Sequence, residues 1–223
     1  MSAKGRTPSR PLRAMSGHCR RDEAAYFAEV MVFRGPVMER SFEIVAQWIE
    51  QKDPNRKRPF NEPASADEIA ATERRLGLKL PAAVRNLYCL ANGQPSDTVS
   101  LEGSFVLLSL DGIVDAAAFL NDEFPDGVNV YASDDASVDA DPGIRALWWS
   151  RSWVPIMENG GGDYLCVDLD PAKAGTQGQI ITYYHDEMFR SLVAPGLDAM
   201  LEDLAARLAS GRCRIEDGMI EQD

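Results

Sequence analysis

Residues 160–163 read Gly-Gly-Gly-Asp, a run that could either cradle a phosphate or turn a chain sharply. A phosphate loop also needs a Lys-Ser/Thr pair and a long helix after it, and neither follows here. The run therefore reads as a tight strand-to-strand turn in which glycines take positive φ, and Asp163 caps or braces the turn. Asp163, Asp168 and Asp170 are oxygen donors, and Asp168 and Asp170 fall on one face of a strand by its period of two. A hard cation wants six or more oxygens and a loop that wraps it. The spacing is not that of an EF-hand, so no metal and no cofactor is assigned. The chain has two histidines, His18 and His185. His185 stands beside Asp186 and Glu187 and could act as a base, although a lone surface histidine is the simpler reading. No Gly-x-Ser-x-Gly elbow occurs. Cys166 and Cys89 sit among apolar neighbours and read as small buried hydrophobes. No catalytic residue is assigned, and the expected mode of action is binding rather than catalysis.

Two other groups suit contact with a partner. Asp134, Asp135, Asp139 and Asp141 put four carboxylates into one glycine- and alanine-rich stretch, able to steer a basic surface. A solvated loop is the plainer alternative. If the four act, changing them to Asn slows association with a basic partner and flattens its salt dependence. Trp148, Trp149 and Trp153 cluster nearby. Trp153 opens a strand and reads as core. Trp148 and Trp149 are adjacent, so on a strand they cannot both face inward, and one of them is expected to be exposed for partner contact.

Net charge limits the partner. The chain carries −12, and residues 1–37 hold seven basic against three acidic side chains, which leaves −16 for the rest. Such an excess repels phosphate, so the expectation is no nucleic acid, no anionic membrane and a basic protein partner. No apolar run approaches the roughly 20 residues of a membrane span. Cys19, Cys89, Cys166 and Cys213 are scattered and form no C-x-x-C pair, which argues against a zinc ribbon or a disulfide framework and for a reducing cytoplasm. Oligomeric state is not readable.

The elements that must position these residues follow from spacing and punctuation. Residues 1–37 read as a basic leader, or as sequence before a start at Met31 or Met38. Residues 38–211 read as one domain and 212–223 as a polar, frayed tail. Ser41 is expected to cap a helix to Lys52 with Phe42, Val45, Trp48 and Ile49 on its apolar face. Ser65 and Glu68 form a capping box. Ile69, Thr72, Glu73 and Leu76 follow at helical spacing, and Gly77 stops that helix. Pro81 opens the next, which ends at Asn92-Gly93. Ser104–Leu110 reads as a buried strand, Asp111 as the cap of a short helix, and residues 124–145 as an acidic loop. Strands are expected at Trp153–Met157, Tyr164–Leu169 and Gln179–Tyr184, with antiparallel neighbours because the links are short. A last helix spans Leu197–Ser210.

These residues resemble the Smi/Knr-like family of the SUKH superfamily. The resemblance rests on Glu73-Arg74-Arg75-Leu76-Gly77-Leu78-Lys79-Leu80-Pro81 and a second helix closing in Asn92-Gly93. Trp153-Val154-Pro155-Ile156, Asn159-Gly160-Gly161-Gly162-Asp163 with Asp168, and Gly178-Gln179-Ile180-Ile181 continue it. It covers about residues 41–210. The resemblance implies an α+β fold, a mostly antiparallel sheet flanked by helices, in which these motif residues are structural. It also implies an immunity protein that binds and neutralises a cognate secreted toxin domain, a nuclease or deaminase, by occluding its active site. The alternative it carries is a regulatory scaffold like the fungal members of cell-wall assembly. A metal-assisted enzyme at Asp163, Asp168 and Asp170 is the third reading.

Overall fold

Apolar residues one or two turns apart, Met38, Val45 and Ile49, form the buried stripe of the first helix, α1 (Gly35–Lys52). The computed structural model describes residues 35–54, 58–95, 97–127 and 137–222. Because the stripe begins at Met38, α1 starts before Ser41. Ser41 is buried within it and does not cap it, and the boundary expected at residue 37 falls inside the helix.

The capping box forms as expected. Ser65 Oγ accepts from Glu68 N, and Glu68 reaches back to Ser65 N at 2.7 Å, opening α2 (Ala66–Leu76). Gly77 closes it in the left-handed conformation. Pro81 stands at the N-cap of α3 (Ala82–Leu90). The strand expected over 104–110 shortens to β1 (Val106–Leu107), because Ser109 takes extended angles and caps α4 (Leu110–Glu123). Ser109 Oγ accepts from Gly112 N at 3.1 Å. Asp111 is thus an exposed first-turn residue that pairs with Arg75.

Six of the remaining strands are β2 (Asp139–Ala140), β3 (Trp153–Glu158), β4 (Tyr164–Asp168), β5 (Gln179–Tyr183), β6 (Phe189–Arg190) and β7 (Leu192–Ala194). They precede α5 (Leu197–Ala209). The main sheet runs β1-β3-β4-β5-β7 with every neighbour antiparallel. β2 and β6 form a short parallel pair. The fold is α+β.

Nearly every residue of β3, β4 and β5 is buried, so both faces of the sheet are covered. Register puts Val154, Val167 and Ile180 on one face, which α4 and α5 pack against. Trp153, Cys166, Asp168, Gln179, Ile181 and Tyr183 line the other. Segment 143–149 covers this second face, where Trp149 meets Trp153 and Tyr183 edge-on and Gln179 donates to Gly143 O. Pro155 is tolerated in β3 because the β3–β4 register shifts between Pro155 and Met157, an irregularity where a strand accepts a residue without an N–H.

The tail is not frayed. Cys213–Glu216 (β8) and Met219–Gln222 (β9) form an antiparallel hairpin. Asp217 and Gly218 both take positive φ, 49° and 80°, the turn that matches strand twist. Ser100 N donates to Gly218 O at 2.9 Å and ties the hairpin to the body.

Candidate functional site

The glycine run is a turn, as its composition predicts. Asn159 Oδ1 accepts from Gly161 N at 2.8 Å, and Asn159 Nδ2 donates to Asp163 Oδ2 at 2.7 Å. Gly160 and Gly162 have φ of 74° and 96°, where a Cβ is strained. Asp163 also reaches across the sheet end. Its Oδ1 accepts from His185 N at 3.0 Å and meets His185 Nδ1 at 2.8 Å. Partial burial pushes the Asp163 carboxyl up, but the His185 N–H, the His185 ring and Asn159 together hold it below the usual range. The Asp163 hydrogen bond in turn raises His185.

Asp163, His185 and Asp186 bring one ligand atom each to within 4.8 Å of one another. One imidazole and two carboxylates suit a transition metal better than calcium, although the Asp163–His185 hydrogen bond already joins two of them. Asp163, Asp168 and Asp170, the carboxylates of the third reading, do not converge on one site. Asp168 is buried and accepts from Gln179 Nε2 at 2.9 Å and Asp170 N at 3.0 Å. Burial pushes its carboxyl up despite these donors. Asp170 pairs with Arg145 at 3.0 Å. The three carboxylates thus serve separate contacts.

Trp148 and Trp149 are both buried, at 5% and 1% exposure, so neither can meet a partner. They lie in an irregular segment, where alternation of faces does not hold, and both turn inward. Trp149 Nε1 donates to Asn121 Oδ1 at 2.9 Å. Trp148 packs edge-on against Phe124 and lies under the Arg190 guanidinium.

Arg190 is a residue that sequence reading missed. It is fully buried and also stacks over Tyr183. Its Nη1 donates to Glu187 O at 2.7 Å, Phe189 O at 3.2 Å and Tyr184 O at 3.4 Å, and its Nη2 to Trp148 O at 2.9 Å. It therefore serves carbonyls, and burial lowers its affinity for the proton.

Of the four acidic partner candidates, Asp134 and Asp135 lie outside the described residues. Asp139 is exposed beside β6. Asp141 is half-buried and committed to structure, because Oδ2 accepts from Leu192 N at 2.8 Å and its own N donates to Arg190 O.

The motif residues of the N-terminal half also have structural partners. Glu73 is buried, and its carboxylate accepts from Leu80 N at 3.1 Å and pairs with Lys79 at 2.6 Å, holding the α2–α3 turn. Leu80 is core, and Pro81 O accepts from Arg85 N. Asn92 Oδ1 accepts from Leu110 N at 2.8 Å. A Cβ on Gly93 would sit 2.5 Å from Ser109 N, so the backbone itself excludes any other residue. Gln94, not singled out from sequence, is buried and accepts from Leu107 N at 2.9 Å.

With this geometry in view, comparison with known proteins is decisive at the family level. Residues 63–203 match the model of the SMI1 / KNR4 family (SUKH-1). The chain belongs to this family. Among curated relatives it is 21% identical over 203 residues to the cell wall assembly regulator SMI1 of Saccharomyces cerevisiae, covering 76% of this chain and 40% of that protein. It is 32% identical over 74 residues to the glucan synthesis regulatory protein of Neurospora crassa, covering 33% of this chain and 14% of that one. The SMI1 / KNR4 chain thus spans less than half the length of these relatives. Its described residues hold no helix long and apolar enough to cross a membrane.

Proposed function

We propose that this SMI1 / KNR4 chain works by binding another protein, as an immunity protein that occupies the active cleft of a cognate toxin domain. The observation that carries the reading is the family match over residues 63–203. The charge of −12 gives the partner its sign, since a nuclease or deaminase that grips phosphate presents a basic cleft. Occlusion needs shape and charge and no reactive group of this chain. The reading places the protein in the cytoplasm, without nucleic acid, membrane or cofactor as partner.

A second reading is a regulatory scaffold that organises other proteins. The names of the two fungal relatives favour it.

Co-expression separates the two. The full chain is produced in a sensitive host with each candidate toxin domain, from neighbouring genes or from kin strains. Survival and a co-purified one-to-one complex are expected for the immunity role. Death despite soluble chain removes that toxin, and the same result across all these candidates moves the conclusion to the scaffold.

A further inference from the structure

Three of the six exposed large hydrophobics among the described residues fall within five positions: Met188, Phe189 and Leu192, at 43%, 41% and 42% exposure. Exposed apolar side chains gathered in one place mark contact surfaces. These three are also held in place. The chain from Tyr184 to Phe189 curls round the buried Arg190 guanidinium, which takes the carbonyls of Tyr184, Glu187 and Phe189. Asp163 pins the start of the same loop through His185 N. Asp141 pins the far end through Leu192 N. A buried arginine that gives its hydrogen bonds to carbonyls fixes the backbone of an exposed apolar loop, so the loop is organised before any partner arrives.

The rim is acidic. Asp186 and Glu187 precede Met188 directly and are exposed. Exposed Asp139 stands opposite Phe189 in register, and its N donates to Met188 O at 2.7 Å. We infer that Met188, Phe189 and Leu192, ringed by Asp139, Asp186 and Glu187, form the docking surface for a protein whose face carries lysine or arginine around an apolar socket. This deepens the proposed protein-binding function and rests on it. A two-fold contact between copies would set this acidic rim against itself, and an anionic membrane is repelled in the same way.

The test works without an identified partner. A phage-displayed library of random linear peptides is selected on the full chain. The expected binders interleave Lys or Arg with Leu or aromatic residues. Phe189→Asp is expected to weaken them at least about tenfold, while Phe119→Asp, at a more exposed position on α4, leaves them unchanged. Asp186→Lys with Glu187→Lys repeats the test without touching an apolar residue, should Phe189→Asp misfold by circular dichroism. Binders that ignore both variants, an acidic consensus, or no binder overturns the surface. So does a wild-type dimer that Phe189→Asp makes monomeric, because the occupant is then a second copy. The co-expression assay keeps the two conclusions apart. Protection by Phe189→Asp equal to wild type removes this surface and leaves the immunity reading. Basic peptides that map here, with no toxin neutralised, do the reverse.

Discussion

At the residue scale, the motif positions are hydrogen-bond devices. Glu73 is the clearest, because its buried carboxylate is the acceptor for Leu80 N and the partner of Lys79. Glu73→Ala leaves that N–H without an acceptor inside the α2–α3 turn and is expected to cost about 2 kcal/mol. Glu73→Gln keeps an oxygen and costs less. Urea unfolding of the two variants checks this, and equal midpoints would show that water replaces the carboxylate. Asp163 offers a second case, with a pH signature. His185 is raised from its ordinary 6.5 in the folded chain, so its stabilising share is complete below 6.5 and fades as pH rises through the raised value. Asp163 is lowered from 3.8, so its share is present above 3.8 and fades as pH falls through the lowered value. The contact is therefore strongest between 3.8 and 6.5. Asp163→Asn is expected to return His185 towards 6.5, as followed by its imidazole resonances in NMR. A titration that stays raised would assign the shift to Asp186 instead.

At the element scale, most of the architecture is legible in the sequence because local signals agree with one another. The capping box, Gly77, Pro81 and Asn92-Gly93 punctuate helices of clear periodicity, and β3, β4 and β5 are continuous apolar runs between glycine-rich turns. The departures share a cause: a local rule applied where tertiary contact decides. Strand alternation exposes one of Trp148 and Trp149, but their segment is irregular and buries both. The β8–β9 hairpin has the composition of a polar tail, although Asp217-Gly218 is a turn signal, because only one side of it packs. Arg190 in a stretch reading His-Asp-Glu-Met-Phe-Arg looks like a surface cation, and nothing local shows that it is buried. It joins β6, the loop after β5 and segment 143–149, and so holds the exposed hydrophobics in place. Arg190→Met nearly keeps the volume but removes a donor from four carbonyls, of which Tyr184 O retains Glu187 N, and the expected loss is about 3 kcal/mol. Arg190→Lys recovers only part, because an ammonium cannot fork between Trp148 O and the loop. Thermal unfolding of the three forms, read by tryptophan emission, measures this. Equal stability of Arg190→Met and wild type would mean the guanidinium is not what holds the loop.

At the scale of the whole molecule, charge and apolar contact divide the work of recognition. A net charge of −12 acts through solvent over a distance set by salt, roughly 8 Å at physiological ionic strength, so it governs approach. Met188, Phe189 and Leu192 act only once water is expelled, so they govern residence. This separation predicts opposite kinetic signatures for two sets of variants against one basic ligand recovered by selection. Asp139→Asn, Asp186→Asn and Glu187→Gln together slow association and flatten its dependence on salt, with dissociation nearly unchanged. Phe189→Ala leaves association and its salt slope near wild type and speeds dissociation. Surface plasmon resonance across a range of salt concentrations reads both. If the carboxylate variants change dissociation alone, the acids make short-range bonds and do not steer. If Phe189→Ala changes neither rate, the apolar anchor lies elsewhere on the chain.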